Sequence, residues 1–144
     1  IVKVDTDAVF FPQRLKTRLS SLRTPQGSLA YLRNNEYKFQ FMGALEVMTR
    51  QALERYYEHA ERCAVGGGGH SGGEDFYMKS CLEGIGVDYQ ADFQLLTDRY
   101  AGQDSCADGW SSCFHFLKKV SGWNECHQQA LDAEAASNPM VAFR

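Results

Sequence analysis

The chain has 144 residues and 16.2 kDa, with 18 acidic against 15 basic side chains, a formal charge of −3 and a pI near 5.8. That length supports one ordinary core, and the charge gives no cationic field for nucleic acid or an anionic membrane surface. No apolar run approaches the ~18 residues needed to cross a bilayer. Ile1 to Asp7 shows neither the charged segment nor the long apolar segment of a secretory signal. The five cysteines exceed what a reduced cytosolic core usually carries, so compartment is read from them.

Ile1 to Phe11, rich in Val and Phe, reads as an extended arm lying on a partner rather than as a strand. Pro12 suits a first helical turn, and Leu15, Leu19 and Leu22 follow with Arg14, Lys16, Arg18 and Arg23 on the other faces. A short basic amphipathic helix is expected, ended by Thr24-Pro25-Gln26-Gly27. From Glu36 the stripe Tyr37, Phe41, Leu45, Met48, Ala52, Tyr56, His59 and Cys63 keeps a helical period. It predicts a helix of roughly 40 Å, capped by Asn34 or Asn35 and ended by the glycines from Gly66.

The segment 65–73 is a glycine-rich tether, followed by Glu74-Asp75 at the start of a second stripe: Met78, Leu82, Ile85, Tyr89, Phe93, Leu96 and Tyr100. Gly84 and Gly86 weaken its first half. Trp110, Cys113, Phe114, Leu117 and Val120 predict a further helix, and Trp123 to Ala136 a last one, ended by Asn138-Pro139. The expected fold is all-α, one helical domain over 1–144: an arm and basic helix in 1–35, a long antiparallel hairpin in 36–104, and C-terminal helices and tail in 105–144.

Gly69-His70-Ser71-Gly72-Gly73 fits G-x-S-x-G, but a nucleophile elbow needs a preceding strand, and here a helix is expected. Gly67-x-Gly69-x-x-Gly72 fits a dinucleotide fingerprint only through its glycine content. A metal alternative assembles His59, Cys63, His70 and Cys81 around tetrahedral zinc, and Cys113-Phe114-His115 and Cys126-His127 invite a similar proposal with less geometric support. Asp88, Asp92 and Asp98 read as a solvated helix face. No catalytic residue and no cofactor are expected.

A disulfide reading fits the hairpin better. Cys63 near the end of one helix and Cys81 in the first turns of the next can lie level and reach bridging distance. Cys113 with Cys126 is the second expected pair, leaving Cys106 unpaired, while Cys106 with Cys126 stays open.

The order of Cys63 and Cys81, then Tyr89 to Tyr100 with Thr97-Asp98-Arg99-Tyr100, then Ser111-Ser112-Cys113 resembles the cysteine-stapled helical hairpins of the mitochondrial intermembrane space. The resemblance covers roughly 36–119 and is nearest to the PDSW accessory-subunit family of respiratory complex I. Cys113-x12-Cys126 is similar to the second helix of the cytochrome bc1 hinge subunit. The resemblance implies a non-catalytic accessory subunit, oxidised in the intermembrane space, peripheral to the inner membrane and clamped onto other subunits rather than standing as a lone monomer. Docking would then fall to Phe10, Phe11, Arg14 and Arg18 at one end and to Val141 and Phe143 at the other. A secreted or surface helical ligand-binding domain is the alternative, although the chain has no N-x-S/T acceptor.

Overall fold

The computed structural model describes residues 1–22, 27–66 and 73–137. Among these, seven short strands and four α-helices make a mixed α/β protein, which overturns the all-α expectation. The elements run β1 (Val2–Val4), β2 (Ala8–Phe10), α1 (Pro12–Ser21), β3 (Ala30–Arg33), β4 (Leu45–Val47), α2 (Arg50–Gly66), α3 (Gly73–Gly84), β5 (Asp88–Ala91), β6 (Leu96–Asp98), a 3-10 turn (Arg99–Ala101), β7 (Cys113–His115) and α4 (Val120–Ser137). Two compact units share the chain: Ile1–Val4 with Leu22–Phe93, and Asp5–Ser21 with Gln94–Arg144. No helix among the described residues is long and apolar enough to cross a membrane.

In the first unit β1 pairs antiparallel with β4, and β3 pairs parallel with β5. The helix expected from Glu36 begins only at Arg50, because residues 34–47 find better partners elsewhere. Asn34, wholly buried, donates Nδ2 to the carbonyls of Met42 at 2.8 Å and Leu45 at 2.6 Å and accepts the Met42 N–H at 2.9 Å. A side chain that closes a loop this way competes with a helix for the same backbone groups. Lys38 and Gln40 are left-handed, at φ 49° and 68°, which a continuous helix does not tolerate. Leu45 to Val47 then pairs with β1. The stripe residues Phe41, Leu45 and Met48 are buried as expected, but from a loop and a strand edge.

The second expected helix stops at Gly84. Gly86 at φ 80° turns the chain out, and the Val87 N–H closes on the Leu82 carbonyl at 2.9 Å. Beyond it, Tyr89 and Leu96 lie on β5 and β6. Between α2 and α3 the Cys63–Cys81 disulfide, with Cα atoms 5.0 Å apart, joins a core of Tyr31, Phe41, Ala52, Leu82 and Ile85.

In the second unit β7 is the central strand of the order β2-β7-β6, antiparallel to β2 and parallel to β6. A strand therefore replaces the helix expected around Cys113, since pairing on both edges meets all its backbone groups. α1 and α4 stand where Pro12 and the Trp123 to Ala136 pattern put helices, and Ile1 to Phe11 supplies β1 and β2 rather than an arm. Val9, Phe11, Phe114, Leu117 and Ala130 pack with the Cys106–Cys126 disulfide. The Trp123 indole N–H donates to the Ala8 carbonyl at 2.9 Å.

Candidate cation site

Val2-Lys3-Val4 and Ala8-Val9-Phe10 are strands, so Asp5-Thr6-Asp7 is compressed into the short connection between them. The Ala8 N–H donates to the Asp5 carbonyl at 3.2 Å, and the Leu117 N–H donates to the Asp7 carbonyl at 2.9 Å. The register of β2 on β7 sets Ala8 opposite His115, and that of β6 on β7 sets Asp98 opposite the same histidine. Sheet pairing alone thus brings residues 108 positions apart, 115 minus 7, to one place.

Carboxylate oxygens of Asp5 and Asp7 and a ring nitrogen of His115 lie within 4.8 Å of one another. On a cation with bonds of about 2.1 Å, donors stand about 3 Å apart when adjacent and about 4.2 Å when opposed, so small side-chain rotations suffice to close the shell. His115 is oriented from behind. Its Nδ1–H donates to Asp98 Oδ2 at 2.8 Å, which leaves Nε2 facing Asp7 Oδ1 at 3.4 Å. Asp98 is wholly buried, and its Oδ1 also accepts the Tyr100 N–H at 2.8 Å. A buried carboxylate fixing the far nitrogen of an imidazole is the usual support of a metal-ligating histidine, because it sets tautomer and ring angle together.

Burial alone would lower the His115 pKa, but the Asp98 hydrogen bond and the charges of Asp98, Asp7 and Asp5 outweigh it and raise the value. Burial would raise that of Asp7, yet the bond from Lys118 and the charge of His115 bring it down. Lys118, ion-paired with Asp7, also borders an open groove of about 430 Å³ lined by Thr6, Asp7, Lys118, Lys119, Val120 and Trp123. One ammonium group, that of Lys118, therefore pairs with a carboxylate of the cation site, and Lys119 and Trp123 line the same groove.

The sites expected from the sequence fall differently. Cys63 and Cys81 are bonded to each other, so neither sulfur is a thiolate for zinc. His59 sits on α2 with its Nδ1 3.1 Å from the Arg55 carbonyl, and His70 lies outside the described residues. The second bridge is Cys106–Cys126, with Cα atoms 5.2 Å apart, in place of Cys113–Cys126. Cys113, held wholly buried in β7, is outside both bridges, and burial together with the nearby Asp98, Asp5 and Asp7 charges pushes its thiol pKa up.

Of the docking residues, Phe11 is core: it stacks on His127 at 5.2 Å and meets Phe114 edge-on at 6.1 Å. Arg14 is a buried clamp, bonded to the carbonyls of Asp108, Ser111 and Ala130 and to the Glu134 carboxylate. Phe10 and Arg18 are half-buried, and Val141 and Phe143 lie outside the described residues. Asp98, read as part of a solvated helix face, is instead the innermost support of the site. Comparison with family models, with curated proteins and with solved structures finds no match.

Proposed function

We propose that the chain carries the divalent-cation site of a transferase whose donor is a glycosyl nucleotide. Asp5, Asp7 and His115 hold the cation, and Lys118 and Lys119 take the donor's diphosphate. The observation that carries this reading is the line from buried Asp98 through His115 to Asp7, with Asp5 alongside. Two carboxylates and one imidazole suit Mn²⁺, a cation of octahedral habit that accepts mixed oxygen and nitrogen donors and leaves positions for substrate oxygens. Such a cation, when bound, neutralises the charge that gathers on a departing diphosphate.

The groove supports the rest. Lys118 and Lys119 line it, and Lys118 would turn from Asp7 to phosphate oxygens once the cation takes that carboxylate, while Trp123 and Val120 line it for a base and ribose. Two disulfides agree with work in an oxidising compartment. The non-catalytic subunit reading drew on a long all-helical hairpin, and with β4, β5 and β6 lying in those segments it loses that premise.

The test titrates the purified chain with Mn²⁺ and follows the loss of the free-ion electron paramagnetic resonance signal. One site is expected, weakened at least about 100-fold in His115→Ala and in Asp7→Asn, each checked for folding by circular dichroism. Uridine diphosphate should then bind in the presence of Mn²⁺ and more weakly in Lys118→Ala. A chain that takes up no Mn²⁺, or both variants binding it as wild type does, ends the reading.

A further inference from the structure

We infer that Lys118 is a tethered counter-ion that competes with the metal for Asp7, so that the cation and a phosphate-bearing ligand bind cooperatively. The inference rests on the cation-site reading above and adds the regulation of that site. Lys118 lies in the short connection between β7 and α4, and the bond from the Leu117 N–H to the Asp7 carbonyl at 2.9 Å holds that connection against the aspartate. The ammonium pairs with Asp7 Oδ2, which has no other hydrogen-bond partner among the described residues. The same ammonium stands 4.1 Å from the Phe116 ring centre, a second contact that favours this position.

Asp7 Oδ1 faces His115 Nε2 at 3.4 Å, so both oxygens of Asp7 have a basic neighbour. Only one of the two neighbours can leave. His115 is fixed from behind by Asp98 at 2.8 Å, whereas the Lys118 side chain is 61% exposed at the rim of the groove that Thr6, Asp7 and Lys119 also line. A dication that ligates Asp7 has to displace the ammonium, because two positive charges on one carboxylate repel. Phosphate oxygens in the groove draw the ammonium the other way, and Asp7 is then free for the metal. Linkage makes the help mutual: the metal favours the phosphate by the same factor. An exposed ion pair and one cation–π contact are each weak, so the paired position prevails over the open one by only about 3- to 10-fold.

The test titrates Mn²⁺ into the full chain, followed by electron paramagnetic resonance with and without uridine diphosphate, in wild type, Lys118→Met and Lys119→Met. Without nucleotide, Lys118→Met should bind Mn²⁺ about 3- to 10-fold more tightly than wild type. Lys119→Met removes the same charge from the same groove but no bond to Asp7, and should tighten binding by less than about twofold. Uridine diphosphate should tighten Mn²⁺ binding more in wild type than in Lys118→Met, again by about 3- to 10-fold, since both comparisons report the one ratio of paired to open Lys118. Chelation of Mn²⁺ by the nucleotide in solution is common to all three proteins and cancels. The inference is overturned if Lys118→Met binds Mn²⁺ no more tightly than wild type, if Lys119→Met gains as much, or if the nucleotide helps wild type and Lys118→Met equally. Any of these with Mn²⁺ still bound removes the role of Lys118 alone, whereas failure of both wild type and Lys118→Met to take up Mn²⁺ removes the cation site itself.

Discussion

Each of the two units gathers carboxylates around basic side chains, Glu46 and Glu74 around Lys3 in the first and Asp5, Asp7 and Asp98 around His115 and Lys118 in the second, and the clusters are wired differently. In the first unit Lys3 lies between the acids, donating to Glu46 at 2.9 Å, to Glu74 at 3.1 and 3.2 Å and to the Gly43 carbonyl at 3.2 Å. Its ammonium has as many acceptors as it can use, and the register of β1 on β4 sets it opposite Glu46. In the second unit His115 is bonded on its far side to Asp98 and faces Asp7 Oδ1 at 3.4 Å on its near side, Asp7 is also ion-paired with Lys118, and the Asp5, Asp7 and His115 donor atoms lie within 4.8 Å of one another. The first is a closed electrostatic knot that joins two strands and the start of α3. The second is a half-shell. Which acceptors a basic group has already used, and from which side, separates a structural cluster from a ligand site more sharply than composition does.

The sharpest way to break the contrast is to cut each cluster at its support. Asp98→Asn should cost Mn²⁺ affinity about 10- to 100-fold, because the imidazole loses the carboxylate that sets its tautomer and angle. Lys3→Met should leave Mn²⁺ affinity unchanged and lower urea stability by about 2 kcal/mol, a buried-pair penalty discounted for the partial exposure of Lys3. Both measurements are made on both variants. If Asp98→Asn loses stability but no Mn²⁺ affinity, the second cluster is structural as well.

The helices whose signals are local were readable from the sequence: Pro12 opens α1, α2 ends at Gly66, and the Trp123 to Ala136 pattern gives α4. What misled is that Phe41, Leu45 and Met48 recur at helical spacing and are buried, yet the partner that fixes them is Asn34, whose bonds to Met42 and Leu45 no periodicity expresses. The site was illegible for a related reason. Asp5-Thr6-Asp7 acquires meaning only when Val2 to Val4 and Ala8 to Phe10 are strands, and His115 joins it only through the register of β7. Two aspartates two apart after an alternating Val-Lys-Val run were the one local hint. The second disulfide followed the same logic, since Cys113 with Cys126 was expected as a link between two helices, with Cys106–Cys126 left open, whereas Cys113 lies in the central strand and Cys106 makes the bridge.

A smaller effect separates two carboxylates within the first unit by pH. Burial, then the nearby Glu74 charge, outweigh Lys3 and push Glu46 up to about 7. Burial works the same way on Glu83, but bonds from Lys79, Tyr31 and Arg33 prevail and bring it down to about 2. Both start from 4.5 in the unfolded chain. The folded state therefore holds the Glu46 proton more tightly than the unfolded state, and stability falls as pH rises from about 4.5 to 7. For Glu83 the folded state releases the proton more readily, so its contribution is complete above about 4.5 and lost as pH falls toward 2. Urea midpoints across this range should show the alkaline decline reduced in Glu46→Gln and the acid decline reduced in Glu83→Gln, the latter modestly because the Glu83 side chain is 35% exposed. A Glu46→Gln variant whose midpoint falls between pH 5 and 7 as steeply as wild type would mean that Lys3 keeps Glu46 ionised throughout, and the knot would then be a plain ion pair with no proton to trade.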